Sequence, residues 1–457
     1  MIRTALAAPL FVGALLLAAP SAAQTQQEQL DARYDRALAA GYKALMLCGG
    51  LAHSYREGFP RTADHIEQWE LAGIQSPLDG VVASLLYSVK RFDGPDSQIA
   101  AVEVAWADDM PPRVAIYAAK SGCSLQPIGA PVQPPNRADD EPPAAMVSVE
   151  KAVGDTGAAA AIVSALSGAY GQGSRTTAVI VRRGDSLIEQ GFATGFGPAV
   201  PQRTWSVAKS IASTLVGAAV QRGKTRVSDS AAIATGAIDP RAAITIDHLL
   251  RMASGRYSDT PGNRTDPLYY GGATVAETAA HWPVLHPPGR VFRYANNDTL
   301  MAVEAIEGTF AAHPPPEFFS RVGMRDTVAE TDWQGSYILS SQVWSSARDL
   351  ARFGQLYLDD GKLPDGTRIL PEGWVQYVSS PSGPQPEGEF GYGAGFWLLN
   401  KSEGVPPDTF AAFGNRGQYV VIVPSRDVVI VRRGEDPVGS RFDIAAFTRD
   451  VLAALED

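Results

Sequence analysis

Between residues 131 and 143 the chain reads Pro-Val-Gln-Pro-Pro-Asn-Arg-Ala-Asp-Asp-Glu-Pro-Pro, and no core can be built through it. Its prolines remove backbone donors and fix φ, so neither a helix interior nor a central strand passes here. Its charges, with no large apolar side chain beside them, leave nothing to bury. The segment reads as an extended linker over 131–145 that divides the 457 residues into two folding units. Upstream, residues 24–130 carry helical patterns from Gln29 to Leu51 and from Thr62 to Gly73. Strand-like runs follow at Val81–Val89, Ile99–Trp106 and Arg113–Ala119. That composes a small accessory α+β unit.

Downstream, residues 146–457 open with a hairpin, Ala178–Arg182 and Ser186–Ile188 around Arg183-Gly184-Asp185, and then a helix from Ser206 to Arg222. The middle, about 225 to 380, is mostly helical with long loops. Strand character returns at Tyr392–Leu399, Phe410–Phe413, Tyr419–Val423 and Val428–Val431, and a helix from about Ser440 to Leu455 closes the chain. Strands at both ends of a helical middle predict one sheet assembled from distant segments, with a helical subdomain between them. The predicted class is α+β.

Hydrophobic content of 45%, charged content of 19% and mean hydropathy of −0.07 belong to a globular chain, which excludes wholesale disorder and a polytopic membrane protein. With 39 basic against 49 acidic residues, a global basic field for nucleic acid is absent. The six histidines lack HExxH spacing, and two cysteines are too few for an all-cysteine zinc site. No metal or cofactor is asked for. Residues 1–23 read as a secretory signal: Arg3, an apolar run from Ala5 to Ala19, and Ser21-Ala22-Ala23 suited to cleavage before Gln24. The run falls short of the roughly 20 residues that span a bilayer, so no transmembrane anchor is expected after cleavage. The expected location is the bacterial periplasm. An oxidising compartment makes Cys48 and Cys123 a candidate disulfide, with two buried thiols as the other reading.

Ser206-Val-Ala-Lys209 sets a hydroxyl and an amine on one helix face. Serine is a poor nucleophile until a neighbouring base takes its proton, and lysine is that base when burial favours its neutral form. The helix start adds a backbone N–H for an oxyanion. Alone the motif is weak, since it recurs at Ser148-Val-Glu-Lys151, where the Glu and the preceding prolines favour a solvated helix start. A second element supports the first site. Tyr294-Ala295-Asn296 is the single Tyr-x-Asn of the sequence, pairing a phenol for proton transfer with an amide able to hold the lysine and a substrate. A buried aromatic beside a turn asparagine is the plainer reading of the same residues.

Together these stretches resemble the serine β-lactamase-related hydrolases of the class C type, which include esterases, D-amino-acid peptidases and 6-aminohexanoate-dimer hydrolase. The resemblance lies in Thr204–Lys209, Leu249-Leu250-Arg251-Met252-Ala253-Ser254-Gly255, Pro288-Gly289 leading into Phe292–Asn296, and Ser345–Gly354, covering roughly 146–457. It implies the β-lactamase/transpeptidase-like fold, an antiparallel sheet flanked by helices. It also implies an acyl-enzyme on Ser206 with Lys209 and Tyr294 exchanging protons, and oxyanion donors at Ser206 and near Asn415. Where the family carries a Lys-Thr-Gly or His-x-Gly motif, this chain has Ala412-Phe413-Gly414-Asn415-Arg416. Gly414 is kept, but the cation position is Ala412. Arg416 is either a replacement from the next turn or a solvated hairpin-tip arginine. The loss of that cation favours small-molecule or peptide esters and uncharged amides over β-lactams and D-Ala-D-Ala peptides. Tyr257, Tyr269, Tyr270, Trp282 and Trp397 are candidate pocket aromatics, with ordinary packing as the alternative for each. A β-lactamase or cell-wall peptidase, and a catalytically weak cell-envelope binding protein, are the competing functions.

Overall fold

The structure is a computed structural model that describes residues 25–456 apart from 57, 93–96, 132–151, 153–156, 235, 237 and 258–265. The signal-like segment, nearly all of the linker and Ser148–Lys151 lie outside the described residues.

The N-terminal unit is built on helix α1 (Gln26–Arg56), whose segment from Ala39 to Ser54 is buried on every side, as a helix apolar all round must be. Helix α2 (Ala63–Trp69) follows, its start capped by Thr62 Oγ1 accepting from the His65 amide. Strands β1 (Tyr87–Arg91), β2 (Ile99–Val104), β3 (Arg113–Ala118) and β4 (Gly122–Leu125) form an antiparallel sheet in that order. The expected strand Val81–Val89 is divided. Asp79–Val82 turns as a helix, because Val82 and Leu85, three apart, both bury, and Lys43 Nζ satisfies their carbonyls at 3.3 and 2.9 Å. β4, which the sequence reading did not anticipate, carries Cys123. A Cys48–Cys123 disulfide, with Cα atoms 6.0 Å apart, ties it to α1.

The second unit contains strands β5 (Thr176–Arg183), β6 (Ser186–Phe192), β7 (Gln202–Arg203), β8 (Val328–Ala329), β9 (Val343–Ser345), β10 (Gly391–Tyr392), β11 (Trp397–Leu398), β12 (Phe410–Gly414), β13 (Gln418–Val423) and β14 (Val428–Gly434). Its main helices are α3 (Ala158–Leu166), α4 (Val207–Gln221), α5 (Asn296–Glu307), α6 (Ala347–Leu358) and α7 (Ile444–Ala454). Seven strands make one antiparallel sheet in the order β10-β11-β12-β13-β14-β5-β6, joining the two ends of this unit as the strand distribution predicted. Ala178, Ile180, Val420, Ile422, Val429 and Val431 face α6 and α4, while Val179, Val181, Val421, Val423 and Ile430 face α3 and α7. Burial on both faces explains why these strands read as continuous apolar runs rather than alternating ones. The expected strand Tyr392–Leu399 breaks into the β10–β11 hairpin at Gly395, whose φ is +82°. A small sheet, β7-β9-β8, brings 202–203 beside 343–345.

The two units share a core. Gly49 of α1 lies flat on the Trp344 indole of β9, where any Cβ would collide with the ring. Beside it His53 Nε2 meets Glu330 Oε1 at 2.9 Å, and Glu330 also accepts from Cys123 N (3.0 Å) and Gln342 Nε2 (2.9 Å). Among the described residues no helix is long and apolar enough to cross a membrane.

Candidate active site

Strand β7 delivers the chain to the site. Thr204 N bonds Val343 O at 2.7 Å, and Trp205 then turns with φ +51°, a left-handed conformation costly for a side chain this large. The Arg203 guanidinium holds it by stacking 3.8 Å from the Trp205 ring centroid. Such strain persists only where the surroundings fix it, and here it sets Ser206 at the start of α4 facing a cleft.

One turn along α4, Lys209 is buried. Its Nζ lies 3.1 Å from Ser206 Oγ, donates to Ser340 O at 2.9 Å and to Asn296 Oδ1, and stands 5.0 Å from the Tyr294 ring centroid. Removal from water, and secondly the Arg203 charge, lower its pKa from 10.5 to about 7. A neutral lysine has two protons and one lone pair. With Asn296 Oδ1 and Ser340 O as acceptors, the lone pair is left for the Ser206 hydroxyl proton. Tyr294 is part-buried on the cleft wall, and desolvation holds its pKa above the ordinary phenol value, with contact to the Ser206 hydroxyl working against it. It is a protonated phenol at neutral pH.

The structure therefore brings Ser206, Lys209, Tyr294 and Asn296 together. Gly414, the last residue of β12, lies against them. A Cβ there would strike Thr204 O and crowd Ser206 N at 3.2 Å, so only glycine lets this strand approach the serine amide. Asn415 follows on the exposed lip. The cleft measures about 660 Å³ and is walled by aromatic rings, among them Tyr269, Tyr270, Tyr294, Trp397 and Phe413. Of the candidate aromatics, Tyr257 and Trp282 are elsewhere, packed on each other at 5.8 Å. Ala412 is fully buried. Arg416 fits neither expectation: it is buried and ion-paired with Glu435 at 2.9 Å, so it neither meets bulk water nor offers a free charge to the cleft.

Arg203 and Ser340 escaped the sequence reading. Arg203 bonds Ser341 O and Ser341 Oγ, each at 3.2 Å, and Ser340 Oγ pairs with Tyr269 Oη at 2.8 Å. The signal for Arg203 was an arginine just before an apolar helix start. Ser340 carried none, because it serves through a backbone carbonyl.

Comparison with known proteins now meets this geometry. The sequence model of the Beta-lactamase family matches residues 160–453. The chain belongs to the β-lactamase family. Within it, the chain is 26% identical over 294 residues to the 6-aminohexanoate-dimer hydrolase of Paenarthrobacter ureafaciens, covering 57% of this chain and 73% of the relative. A Bacillus anthracis structure assigned as a 6-aminohexanoate-dimer hydrolase superposes with a TM-score of 0.55 at 20% identity, covering 64% of this chain and 81% of that one. A class C β-lactamase gives 0.51 at 13% identity, over 68% and 99%. These two likenesses are of fold: the β-lactamase family's antiparallel sheet flanked by helices. The family match and the relative from Paenarthrobacter ureafaciens make this β-lactamase-family protein a serine hydrolase.

Proposed function

We propose that the protein is an exported hydrolase that cleaves an ester or uncharged amide through an acyl-enzyme on Ser206. The observation that carries this is Lys209 Nζ, 3.1 Å from Ser206 Oγ and desolvated until it titrates at about 7. The neutral amine takes the Ser206 proton as Oγ attacks the carbonyl. The developing oxyanion is received by the amides of Ser206 and Asn415. Tyr294, still a phenol, gives its proton to the leaving group and regains one from the lysine ammonium. In the second half Tyr294 passes its proton to the neutral Lys209 as it takes one from water, the hydroxide attacks the acyl carbon, and the lysine ammonium returns a proton to Ser206 Oγ as the acyl group leaves.

Two further observations support the substrate class. With Ala412 buried where the resemblance implies a cation, and Arg416 paired with Glu435, a substrate carboxylate finds no partner on this strand. A charge-assisted bond of about 1.5–3 kcal/mol is thereby forgone. The relative named for hydrolysis of 6-aminohexanoate dimer supports amide cleavage alone; that dimer ends in a carboxylate, so the preference for uncharged substrates rests on Ala412 and Arg416. Export is supported by the signal-like residues 1–23 and by the disulfide, which persists in compartments such as the periplasm.

In the test, purified protein is labelled with a fluorophosphonate and profiled on p-nitrophenyl esters, uncharged amides and nitrocefin. Labelling should vanish in Ser206→Ala, and uncharged substrates should exceed nitrocefin in kcat/KM by about tenfold or more. Undiminished labelling of Ser206→Ala refutes the nucleophile. A preference for nitrocefin restores the β-lactamase reading. An N-terminus other than Gln24 on material recovered from the periplasm counts against the predicted cleavage site.

A further inference from the structure

The turn Asn415–Gly417 joins β12 to β13 and has the oxyanion-side residues at its entrance. Its central residue, Arg416, sits at φ +56°, a conformation non-glycine residues adopt only when held. Three of the carbonyls that hold it come from the N-terminal unit. Arg416 Nη2 donates to Trp69 O and Ala72 O, both at 2.8 Å, and Nη1 reaches Glu70 O at 3.4 Å. These carbonyls close the end of α2, where the helix dipole favours a cation. Glu435 completes the cage, with its carbonyl at 3.2 Å from Nη2 and its carboxylate at 2.9 Å from Nε. The same segment grips the cleft rim, since Val438 N bonds Gly73 O at 2.9 Å and the Glu70 carboxylate is fixed by Arg61. Gln75, a few residues on, faces the cleft itself and donates to Tyr270 Oη at 2.7 Å.

We propose that Arg416 is a positioning residue through which the N-terminal unit holds the oxyanion-binding turn, an inference that rests on Ser206 being the nucleophile. The N-terminal unit is then a working part of the active site. A displacement of this turn moves the Asn415 amide and Gly414 relative to Ser206 N without touching the Ser206–Lys209 pair. The loss should therefore fall on transition-state stabilisation and leave the base unaffected.

Two variants of the full chain separate this from a purely structural ion pair: Arg416→Lys, which keeps the charge facing Glu435 but not the fork to three carbonyls, and Arg416→Met with Glu435→Gln, which removes both charges. In protein that melts cooperatively, kcat on p-nitrophenyl butyrate and the rate of fluorophosphonate labelling should fall about 100-fold, the scale set by a misplaced oxyanion donor. KM should stay within about twofold, and the acid limb of the pH profile should keep its wild-type midpoint, because Lys209 is untouched. Wild-type rates in either folded variant, a loss confined to KM, or a shifted midpoint overturns the proposal. If neither variant folds, hydrogen exchange on the intact protein in mild urea decides. Amides 414–417 should lose protection together with 66–74, and independent loss overturns it. Wild-type protein that fails to label at Ser206 refutes the proposed function itself, which keeps the two failures distinct.

Discussion

Lys209 is held by groups that favour opposite states. Three acceptors surround its Nζ, yet burial and Arg203 make the neutral form nearly as stable as the charged one at pH 7. Acylation should therefore rise with pH through a midpoint near 7 and level off above it, measured as the fluorophosphonate labelling rate. A flat profile from pH 5 to 9 would exclude lysine as the base. The linkage to stability has a definite sign. The folded-state pKa of about 7 lies below the unfolded 10.5, so between these values the unfolded chain binds more protons and stability increases with pH. Below pH 7 the cost is complete. At pH 7 it is about 4 kcal/mol. Lys209→Met removes that cost but takes the lysine donor from Asn296 Oδ1 and Ser340 O, at about 1–3 kcal/mol each. The variant should be dead to labelling and stay within about 2 kcal/mol of the wild-type stability in urea titration. A clear fall in stability would show the lysine to be favourably held.

At the scale of elements, the site depends on how closely β12 approaches the start of α4. Gly414→Ala should leave a folded protein, destabilised by about 1–3 kcal/mol through overpacking against Thr204 O, with acylation slowed about 100-fold. Wild-type labelling in that variant would mean the strand can retreat without consequence. This contact also shows which parts of the molecule were legible in advance. Ser206 and Lys209 were readable because one helical turn joins them, and Tyr294 with Asn296 because they are neighbours in sequence. The sheet was readable where both faces are buried, as at Val420–Val423. It misled at Val81–Val82, where an apolar pair serves a helical turn, and at Tyr392–Leu399, where Gly395 folds one run into two short strands. Arg416 was opaque for a different reason. Its partners Trp69 and Ala72 lie 347 and 344 residues away and act through carbonyls that every residue possesses.

For the whole molecule, the proline-rich stretch invites a picture of a hydrolase with a detachable appendage, and the core argues otherwise. Ala44, Leu47 and Leu51 of α1 belong to the same buried apolar cluster as Trp344, Val420 and Val431. Met46 reaches Arg203, which stacks on Trp205 beside the nucleophile. The His53–Glu330 hydrogen bond, removed from water, binds both units together, and leaving one of its buried polar groups without its partner typically costs about 1–3 kcal/mol. Two units joined in this way should unfold as one. Calorimetry should give a single transition whose van't Hoff and calorimetric enthalpies agree, the criterion for a two-state change. A sharper version places a protease site within residues 136–139 and cleaves it. The fragments should co-elute on gel filtration, remain joined without any covalent link between the units, and keep the fluorophosphonate labelling of the intact chain. The disulfide does not confound this, because Cys48 and Cys123 both lie on the N-terminal side of the cut. Separation of the fragments into a folded, fully active 146–457 piece would return residues 24–130 to the status of an accessory, and would remove Arg416 as the link between the units.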